Sequence, residues 1–307
     1  MVEPTNFYFD KQTAGDNEFM HDQEISTEKL TKEVKEEHQG LVKEIESNGI
    51  TVMKYFQMED DLPNSLFPNN WISTHKCEGI IEDRLVCVYP MEWENRQREV
   101  NKKMIEDLKN GDGEVIDMTD YVKKEKYLEG TGALVFDMAN LKIYANVSGR
   151  CADEPLHEFV ENFNSKTKKP FKLVKFDAKN PDGTSIYHTN VMMSIVGDHW
   201  IVSLDSLVDE DEKNKVIEEL TSTETNEFPK KIIDISREEL EHMCGNVIGL
   251  VNSEGKPCVV MSSTAYNGYT KEHFDELKSH YKMIHSDCSK IENIGGGSAR
   301  CMIAEIF

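Results

Sequence analysis

Short β-rich runs alternate with amphipathic segments along the whole chain, and this alternation constrains the fold more than any other feature. Apolar residues at helical spacing predict helices over 24–48, 94–109, 154–164, 207–220, 237–243 and 271–281. Runs rich in β-branched and aromatic residues predict strands over 50–55, 85–89, 133–136, 142–147, 172–176, 191–196, 200–204, 231–235, 247–251, 258–261 and 302–307. We therefore expect strands and helices to alternate from one end of the chain to the other.

The sequence shows no boundary between domains. A length of 307 residues allows one large domain or two ordinary ones. Turn signals stand at 110–113 and 180–183, but no long linker rich in glycine, serine or proline divides the chain. The acidic stretch 205–231 carries apolar residues at helical spacing, which favours an ordinary helix with a solvated face over an interaction tail. We predict one domain over residues 1–307.

The charge of the chain excludes several classes of partner. The sequence has 35 Lys and Arg against 57 Asp and Glu, a net charge of −22, which repels phosphate backbones and anionic membranes. Its longest apolar runs, such as 247–251, fall far short of the roughly 20 residues that cross a bilayer, and residues 1–10 lack the pattern of a signal peptide. We predict a cytoplasmic protein that binds neither nucleic acid nor membrane.

The seven cysteines point to reduced thiols rather than to disulfides or a zinc site. They stand at positions 77, 87, 151, 244, 258, 288 and 301, an odd and scattered set without a CxxC pair. A single cysteine is more often a small buried hydrophobe than a reactive group. Cys301 differs from the others because it directly follows the glycine-rich run "GGGSAR".

Two motifs that suggest a cofactor or a metal fail on inspection. The run "GGGSAR" lacks the GxGxxG spacing, and the ten residues after Gly297 cannot supply the rest of a dinucleotide-binding unit. The segment "HEFVE" at 157–161 lacks the second histidine of HExxH. We predict no metal and no organic cofactor.

A cysteine nucleophile needs a base and an orienting partner, which usually come from distant parts of the sequence. Glycines before Cys301 let the backbone approach a planar group and expose the thiol in a cleft. His188 and Asn190 lie two residues apart, so an extended strand would point both to the same face. Taken alone, His188 is more often a structural histidine and Glu129 a surface carboxylate.

Four segments together resemble a known family: "FPNNWIS" (67–73), "LEGTG" (128–132), "YHTN" (187–190) and "GGGSARCM" (295–302). Their order and spacing are similar to those of the amidinotransferase and arginine deiminase superfamily, above all its citrulline-utilisation hydrolase (citrullinase) branch. The resemblance extends to "NFYFDKQTA" near the start of the chain. It implies an α/β fold, the five-bladed α/β propeller called pentein, with repeated ββαβ units and an active site at the central axis.

The resemblance also implies roles for individual residues. Cys301 would be the nucleophile, His188 the general acid and base, and Glu129 the carboxylate that orients His188. Arg150 in "VSGRC" matches an arginine that binds the substrate α-carboxylate, and Arg96 in "ENRQRE" is a weaker candidate for that task. A guanidinium suits this task because it donates two parallel hydrogen bonds to a carboxylate.

The sequence departs from the arginine deiminases at two positions. Where those enzymes carry aspartates that hold a cationic guanidinium, this chain has Asn70 and Asn190. An amide offers an acceptor oxygen and two donor hydrogens, which match a neutral ureido group. Related arginine dihydrolases also carry asparagine at the first position, so arginine stays open as a substrate.

The expected activity is the hydrolysis of free citrulline to ornithine, ammonia and carbon dioxide through an S-carbamoyl enzyme. Three alternatives stay open: an arginine deiminase or dihydrolase, an amidinotransferase with an amine acceptor, and a non-catalytic protein that binds amino acids. The only partner that the sequence indicates is a small amino-acid substrate of the citrulline or arginine type. It leaves the oligomeric state open, a homo-oligomer included.

Overall fold

The computed structural model of the chain describes residues 1–15, 17–223 and 230–307. Part of the predicted acidic stretch, residues 224–229, lies outside the described residues. The chain forms two compact units: unit 1 comprises Met1–Pro68, Val191–Asp205 and Ile232–Ile303, and unit 2 comprises Asn69–Asn190, Ser206–Lys231 and Ala304–Phe307. One domain over residues 1–307 stays a prediction.

The elements follow one another in the alternating order that the sequence predicts. The strands are β1 (Val2–Glu3), β2 (Tyr55–Phe56), β3 (Ile72–Cys77), β4 (Ile81–Val88), β5 (Glu114–Asp117), β6 (Leu134–Asp137), β7 (Lys142–Asn146), β8 (Lys172–Phe176), β9 (Met193–Val196), β10 (His199–Val202), β11 (Lys231–Asp234), β12 (Ile248–Val251), β13 (Pro257–Ser262) and β14 (Lys282–Ser286). The α-helices are α1 (Thr27–Ser47), α2 (Glu94–Gln97), α3 (Lys102–Lys109), α4 (Gly130–Ala133), α5 (Asp153–Ser165), α6 (Thr189–Met192), α7 (Glu210–Thr221), α8 (Arg237–Glu241), α9 (Ser263–Gly268) and α10 (Lys271–His280). Within the described ranges, every helix is too short or too polar to span a bilayer.

The same supersecondary unit recurs along the chain. Two sheets of unit 2, β3–β4–β5 and β6–β7–β8, each join an antiparallel pair to a parallel third strand. The sheet β12–β13–β14 of unit 1 repeats this pattern, and β9 pairs antiparallel with β10, which lies beside β11. In each case the third strand follows a helix, so each sheet is a ββαβ unit. The parallel pair β1 and β2, separated by α1, is a shorter version.

These repeats confirm the α/β class and the predicted ββαβ units, whereas the five-bladed arrangement stays a prediction. Each unit has its own apolar core. In unit 1, α1 buries Leu30, Val34 and Leu41 in the same cluster as Ile284 of β14. In unit 2, Phe159 of α5 belongs to a cluster rich in aromatic side chains.

The predicted helix over 94–109 is two helices, and the cause is a capping residue. The side chain of Asn101 accepts a hydrogen bond from the backbone N–H of Met104 at 3.1 Å, which begins α3 afresh after the short α2. Asparagine is a preferred N-cap because its side-chain oxygen satisfies one of the first unpaired N–H groups of a helix.

The strand predicted over 302–307 is wrong. Residues Ala299–Met302 form a 3₁₀ turn, and residues 303–307 do not form a strand. Its backbone bonds to side chains of unit 2 instead: Thr74 Oγ1 donates to the Glu305 carbonyl at 2.9 Å, and Phe307 N donates to Thr74 Oγ1 at 3.3 Å. Side chains therefore satisfy polar groups that a strand ladder would otherwise pair.

Candidate active site

Glu129 is the N-cap residue of the single helical turn α4, and it follows the isolated β-bridge residue Leu128. Its side chain is fully buried, and Glu92 N donates a hydrogen bond to Glu129 Oε1 at 3.1 Å. The next turn residue, Thr131, donates from Oγ1 to the Asn69 carbonyl at 3.2 Å. The "LEGTG" segment is therefore tied to the "FPNN" segment by α4.

His188 lies directly before the helical turn α6, not in the extended strand that the spacing of His188 and Asn190 suggested. The reason is Thr189, whose Oγ1 donates to the Ala133 carbonyl at 2.6 Å and accepts from Asn146 N at 2.8 Å. These bonds anchor the turn to the end of α4, so Thr189 ties the segment that carries His188 to the segment that carries Glu129.

The carboxylate and the imidazole form a close pair in a buried environment. His188 Nε2 is 2.8 Å from Glu129 Oε2, and both side chains are almost fully buried. A side chain at Gly132 would put its Cβ 2.8 Å from the imidazole ring, so glycine is needed for this approach. The Glu129 carboxylate accepts a hydrogen bond from the protonated Nε2. The Nδ1 atom of a neutral ring is then unprotonated and can accept a hydrogen bond.

The charges around this pair set its protonation. Burial raises the pKa of Glu129, but the Arg150 guanidinium and the His188 hydrogen bond outweigh burial and hold that pKa well below its usual range. Burial lowers the pKa of His188 below its usual value, and Glu129 opposes that shift only in part. At neutral pH, an ionised Glu129 therefore faces a neutral His188.

The two arginines that the sequence singled out both pair with carboxylates of unit 2. Arg150 Nη1 is 3.5 Å from Glu129 Oε2, and Arg150 Nε is 3.6 Å from Glu92 Oε2. Arg96 Nε is 2.7 Å from Glu99 Oε1, and both of these side chains are buried. Binding of a substrate α-carboxylate by Arg150 or Arg96 stays a prediction.

The asparagines of "FPNN" bring neutral polar groups to His188. Asn70 Nδ2 is 3.4 Å from both ring nitrogens of His188. Asn70 Oδ1 and both amide atoms of Asn69 are buried and have no hydrogen-bond partner in the part of the chain that the structure describes. An unsatisfied buried polar atom costs about 1–3 kcal/mol and is a reason to expect a ligand. Asn190 is also buried, within α6.

Cys301 belongs to unit 1, in the 3₁₀ turn Ala299–Met302. Its side chain is only 5% exposed, so the thiol is more deeply buried than the accessible thiol that the sequence predicted. The Sγ atom lies 3.4 Å from Asn246 Nδ2 and 3.5 Å from Asn246 Oδ1. Asn246 is thus a polar neighbour of the thiol that the sequence did not predict.

The glycine run before Cys301 has a structural cause. Gly297 lies against the Phe67 ring, where a Cβ atom would come within 2.8 Å of the nearest ring carbon. Asn17 Nδ2 donates to the Gly296 carbonyl at 3.3 Å, and Gly296 has a φ of 66°, which favours glycine. The run therefore follows the surface of Phe67 and reaches Cys301 in a defined conformation.

A buried glutamate also forms hydrogen bonds near the glycine-rich run. Glu292 accepts hydrogen bonds from Thr264 Oγ1 at 2.6 Å and from Ser298 Oγ at 2.5 Å, and burial raises its pKa. It stands in the π-helical turn Ile291–Gly295, a type of turn that is frequent at functional sites. This role of Glu292 could not be predicted from the sequence, because the fold brings Thr264 to the other two residues.

Comparison with the profiles of known protein families gave a match over almost the whole chain. The profile of the family described as eukaryotic N,N dimethylarginine dimethylhydrolase matches residues 3–307. The chain belongs to this family. Dimethylarginine dimethylhydrolases are hydrolases that act on C–N bonds of arginine derivatives, and they lie in the amidinotransferase and arginine deiminase superfamily. The superfamily prediction is confirmed, and the citrulline-utilisation branch stays a prediction.

Solved structures show the same fold at low sequence identity. The N-terminal domain of ArgZ, an arginine dihydrolase from the ornithine–ammonia cycle in cyanobacteria, is 15% identical with a TM-score of 0.70, over 100% of this chain and 96% of that one. A dimethylarginine dimethylaminohydrolase in adduct with S-methyl-L-thiocitrulline is 14% identical with a TM-score of 0.61, over 98% and 96%. In the structure of apo ArgZ, the chain spans 40% of the ArgZ chain. The curated protein sequences gave no match.

Proposed function

We propose that this dimethylarginine dimethylhydrolase family member hydrolyses the ureido group of free citrulline. The observation that carries the proposal is the neutral amide of Asn70 beside His188. Glu129 is paired with Arg150, and Asn70 adds a neutral amide instead of a second carboxylate. A guanidinium bound beside Asn70 would face a neutral amide instead of a carboxylate, and a buried cation without a charged partner costs several kcal/mol.

The unpartnered oxygen of Asn70 supports a substrate that donates N–H bonds. A ureido head carries such donors together with a carbonyl acceptor, so it can satisfy the amide without bringing a net charge. Arg150 and Arg96 are the proposed partners of the α-carboxylate. A guanidinium has five N–H donors, so an arginine that is paired with one carboxylate can bind another.

In the proposed reaction, neutral His188 takes the thiol proton of Cys301, and the thiolate attacks the ureido carbon. His188 then gives that proton to the departing δ-nitrogen, and ornithine leaves an S-carbamoyl enzyme. His188 next takes a proton from water, the hydroxide attacks the carbamoyl carbon, and the thiolate leaves and is reprotonated. The released carbamate decomposes to ammonia and carbon dioxide. The covalent intermediate replaces one difficult displacement by two easier ones.

A second candidate function is the hydrolysis of a guanidino substrate, and the family match favours it. With dimethylarginine, the same thiol chemistry would release dimethylamine and leave citrulline. With arginine it would release ammonia. The same residues serve both substrate classes, so the charge of the substrate head separates the two candidates.

A substrate panel tests the proposal. The purified chain is incubated separately with citrulline, arginine and N,N-dimethylarginine, and ornithine, citrulline, ammonia and dimethylamine are measured. We expect ornithine and ammonia from citrulline at the highest kcat/KM. Accumulation of citrulline from dimethylarginine or arginine, with no ornithine from citrulline, would replace the proposal by the guanidino candidate.

The double variant Asn70→Asp with Asn190→Asp tests the argument from neutral amides. Carboxylates accept hydrogen bonds but donate none, so a ureido oxygen loses its donors while a guanidinium gains charge-assisted partners. Each such bond contributes about 1.5–3 kcal/mol, so the ratio of kcat/KM values should move at least roughly tenfold from citrulline toward arginine.

This comparison needs inhibition constants as well as rates, because clustered carboxylates raise one another's pKa and disturb His188. Each single variant serves as a control for the effect of its own position. An equal loss of affinity for citrulline and arginine would contradict the role of the amides in selecting a neutral head.

A further inference from the structure

A second group of ionisable side chains lies in unit 1, outside the proposed active site. It consists of His199, Glu276 and His280, whose ligand atoms all lie within 4.8 Å of one another. His199 begins β10, and Glu276 and His280 stand four residues apart near the end of α10, so both project from one face of that helix. The proposed reaction uses none of these residues.

The hydrogen bonds of Tyr281 fix the proton on one nitrogen of His199. The Tyr281 hydroxyl donates to the Val196 carbonyl at 2.7 Å, so its oxygen acts as an acceptor for its other neighbours. These are Asp198 N at 3.1 Å and His199 Nδ1 at 2.6 Å. His199 therefore carries its proton on Nδ1 in the neutral form, and its Nε2 presents a lone pair.

That lone pair faces a carboxylate. His199 Nε2 is 3.0 Å from Glu276 Oε1, and His280 Nε2 is 3.4 Å from the same oxygen. Groups that only accept hydrogen bonds repel one another at such distances unless a proton or a cation lies between them. A positive charge between these groups would therefore stabilise the cluster.

The geometry is close to that of a metal site. Ligand atoms at about 2.0–2.1 Å from a tetrahedral zinc ion lie about 3.3 Å apart, a spacing near those observed for Glu276 with His199 and with His280. His199 is buried and fixed through Tyr281, whereas the His280 side chain is 45% exposed and can rotate into place. Metal-binding histidines usually donate their second N–H to a fixed acceptor, as His199 does here.

We propose that His199, Glu276 and His280 bind one divalent first-row transition-metal ion of the zinc class, with its fourth position open to water. Two imidazoles and one carboxylate suit zinc, cobalt, nickel or copper rather than magnesium or calcium. The net charge of −22 favours cation binding in general, and the imidazoles supply the selectivity. The ion would join the start of β10 to the end of α10 and stabilise the folded state by linkage.

The test compares metal binding by the full-length, reduced wild-type chain and its His280→Ala variant. Zinc sulfate is titrated by calorimetry, and cobalt chloride is followed by visible absorption. We expect wild type to take up one more ion per chain than His280→Ala, or to bind it at least about tenfold more tightly, and to show a tetrahedral cobalt spectrum. Zinc should raise the Tm of wild type more than that of the variant.

Matched variants separate this site from the thiols and from ordinary surface histidines. Glu276→Gln keeps the side-chain size and should lose the ion as His280→Ala does. His157→Ala removes an exposed histidine that lies 3.8 Å from Asp153 at the same i, i+4 spacing. This variant should bind zinc and cobalt as wild type does. Equal zinc uptake and cobalt spectra for wild type, His280→Ala and His157→Ala would overturn the proposal and leave His199 and Glu276 as an ion pair.

Discussion

The Cys301→Ala variant should lose turnover by at least roughly 10⁴-fold and keep its fold, because the change removes the proposed nucleophile and only one buried sulfur atom. Loss of that atom from the core costs about 1 kcal/mol of unfolding free energy. Single-turnover assays on the substrate that the panel identifies measure the chemistry, and circular dichroism with urea unfolding measures the fold. In wild type, a trapped carbamoyl or alkyl adduct should map to the peptide that contains Cys301.

Cys258→Ala is the matched control for this variant. Cys258 and Cys301 belong to the same buried apolar cluster of unit 1, so both substitutions create a small cavity in one core. We expect a similar decrease in stability, with turnover lost only at position 301. If Cys301→Ala keeps more than about a hundredth of wild-type kcat, the covalent mechanism is wrong.

Apolar runs were enough to predict most of the strands and helices. The strand β8 (Lys172–Phe176) and the helix α5 (Asp153–Ser165) agree with the sequence patterns to within one residue, because their apolar residues face the core of unit 2. Local propensity and burial act in the same direction there. Where local propensity and burial act in different directions, the sequence pattern does not predict the element.

The strand β3 shows such a disagreement. Its sequence "ISTHKC" is polar, yet Ser73, Thr74 and His75 are all buried. Ser73 Oγ lies 2.8 Å from His75 Nε2 and 2.7 Å from Tyr89 Oη, so the polar groups satisfy one another. Burial without hydrophobicity leaves no periodic signal, and the partner Tyr89, which directly follows β4, is distant in the sequence.

The residues of the candidate site also fall into two groups, those that the sequence predicted and those that it did not. The sequence motifs predicted Glu129 and His188, and the structure brings them together at 2.8 Å. Asn246 and Glu292 were not predicted, because each is an isolated polar residue whose partner lies elsewhere in the chain. The contact between Arg150 and Glu129 was also not predicted, and it adds a second reason to expect a large effect from any change at Glu129.

Replacement of that carboxylate in the Glu129→Gln variant should lower kcat by roughly 10³-fold or more, because a glutamine cannot stabilise the imidazolium that His188 forms during the reaction. The buried Arg150 also loses a partner, and breaking a buried ion pair costs about 3–5 kcal/mol. The pKa of Glu129 is lower in the folded chain than unfolded, so its contribution is present above about pH 4.3 and lost as the pH falls toward the folded pKa. The stability difference between wild type and Glu129→Gln should therefore be largest at neutral pH.

The pH profile separates a role in positioning His188 from a merely structural one. Neutral His188 starts the reaction, so kcat/KM falls on the acid side as His188 becomes protonated. Burial lowers the pKa of His188 and Glu129 raises it, so the loss of the carboxylate should move the acid limb to still lower pH. Asp137→Asn, which breaks the buried pair with Lys230 in unit 2, should cost similar stability and leave the acid limb in place. An acid limb that is identical in wild type and Glu129→Gln would mean that Glu129 supports the fold of unit 2 without setting the protonation of His188.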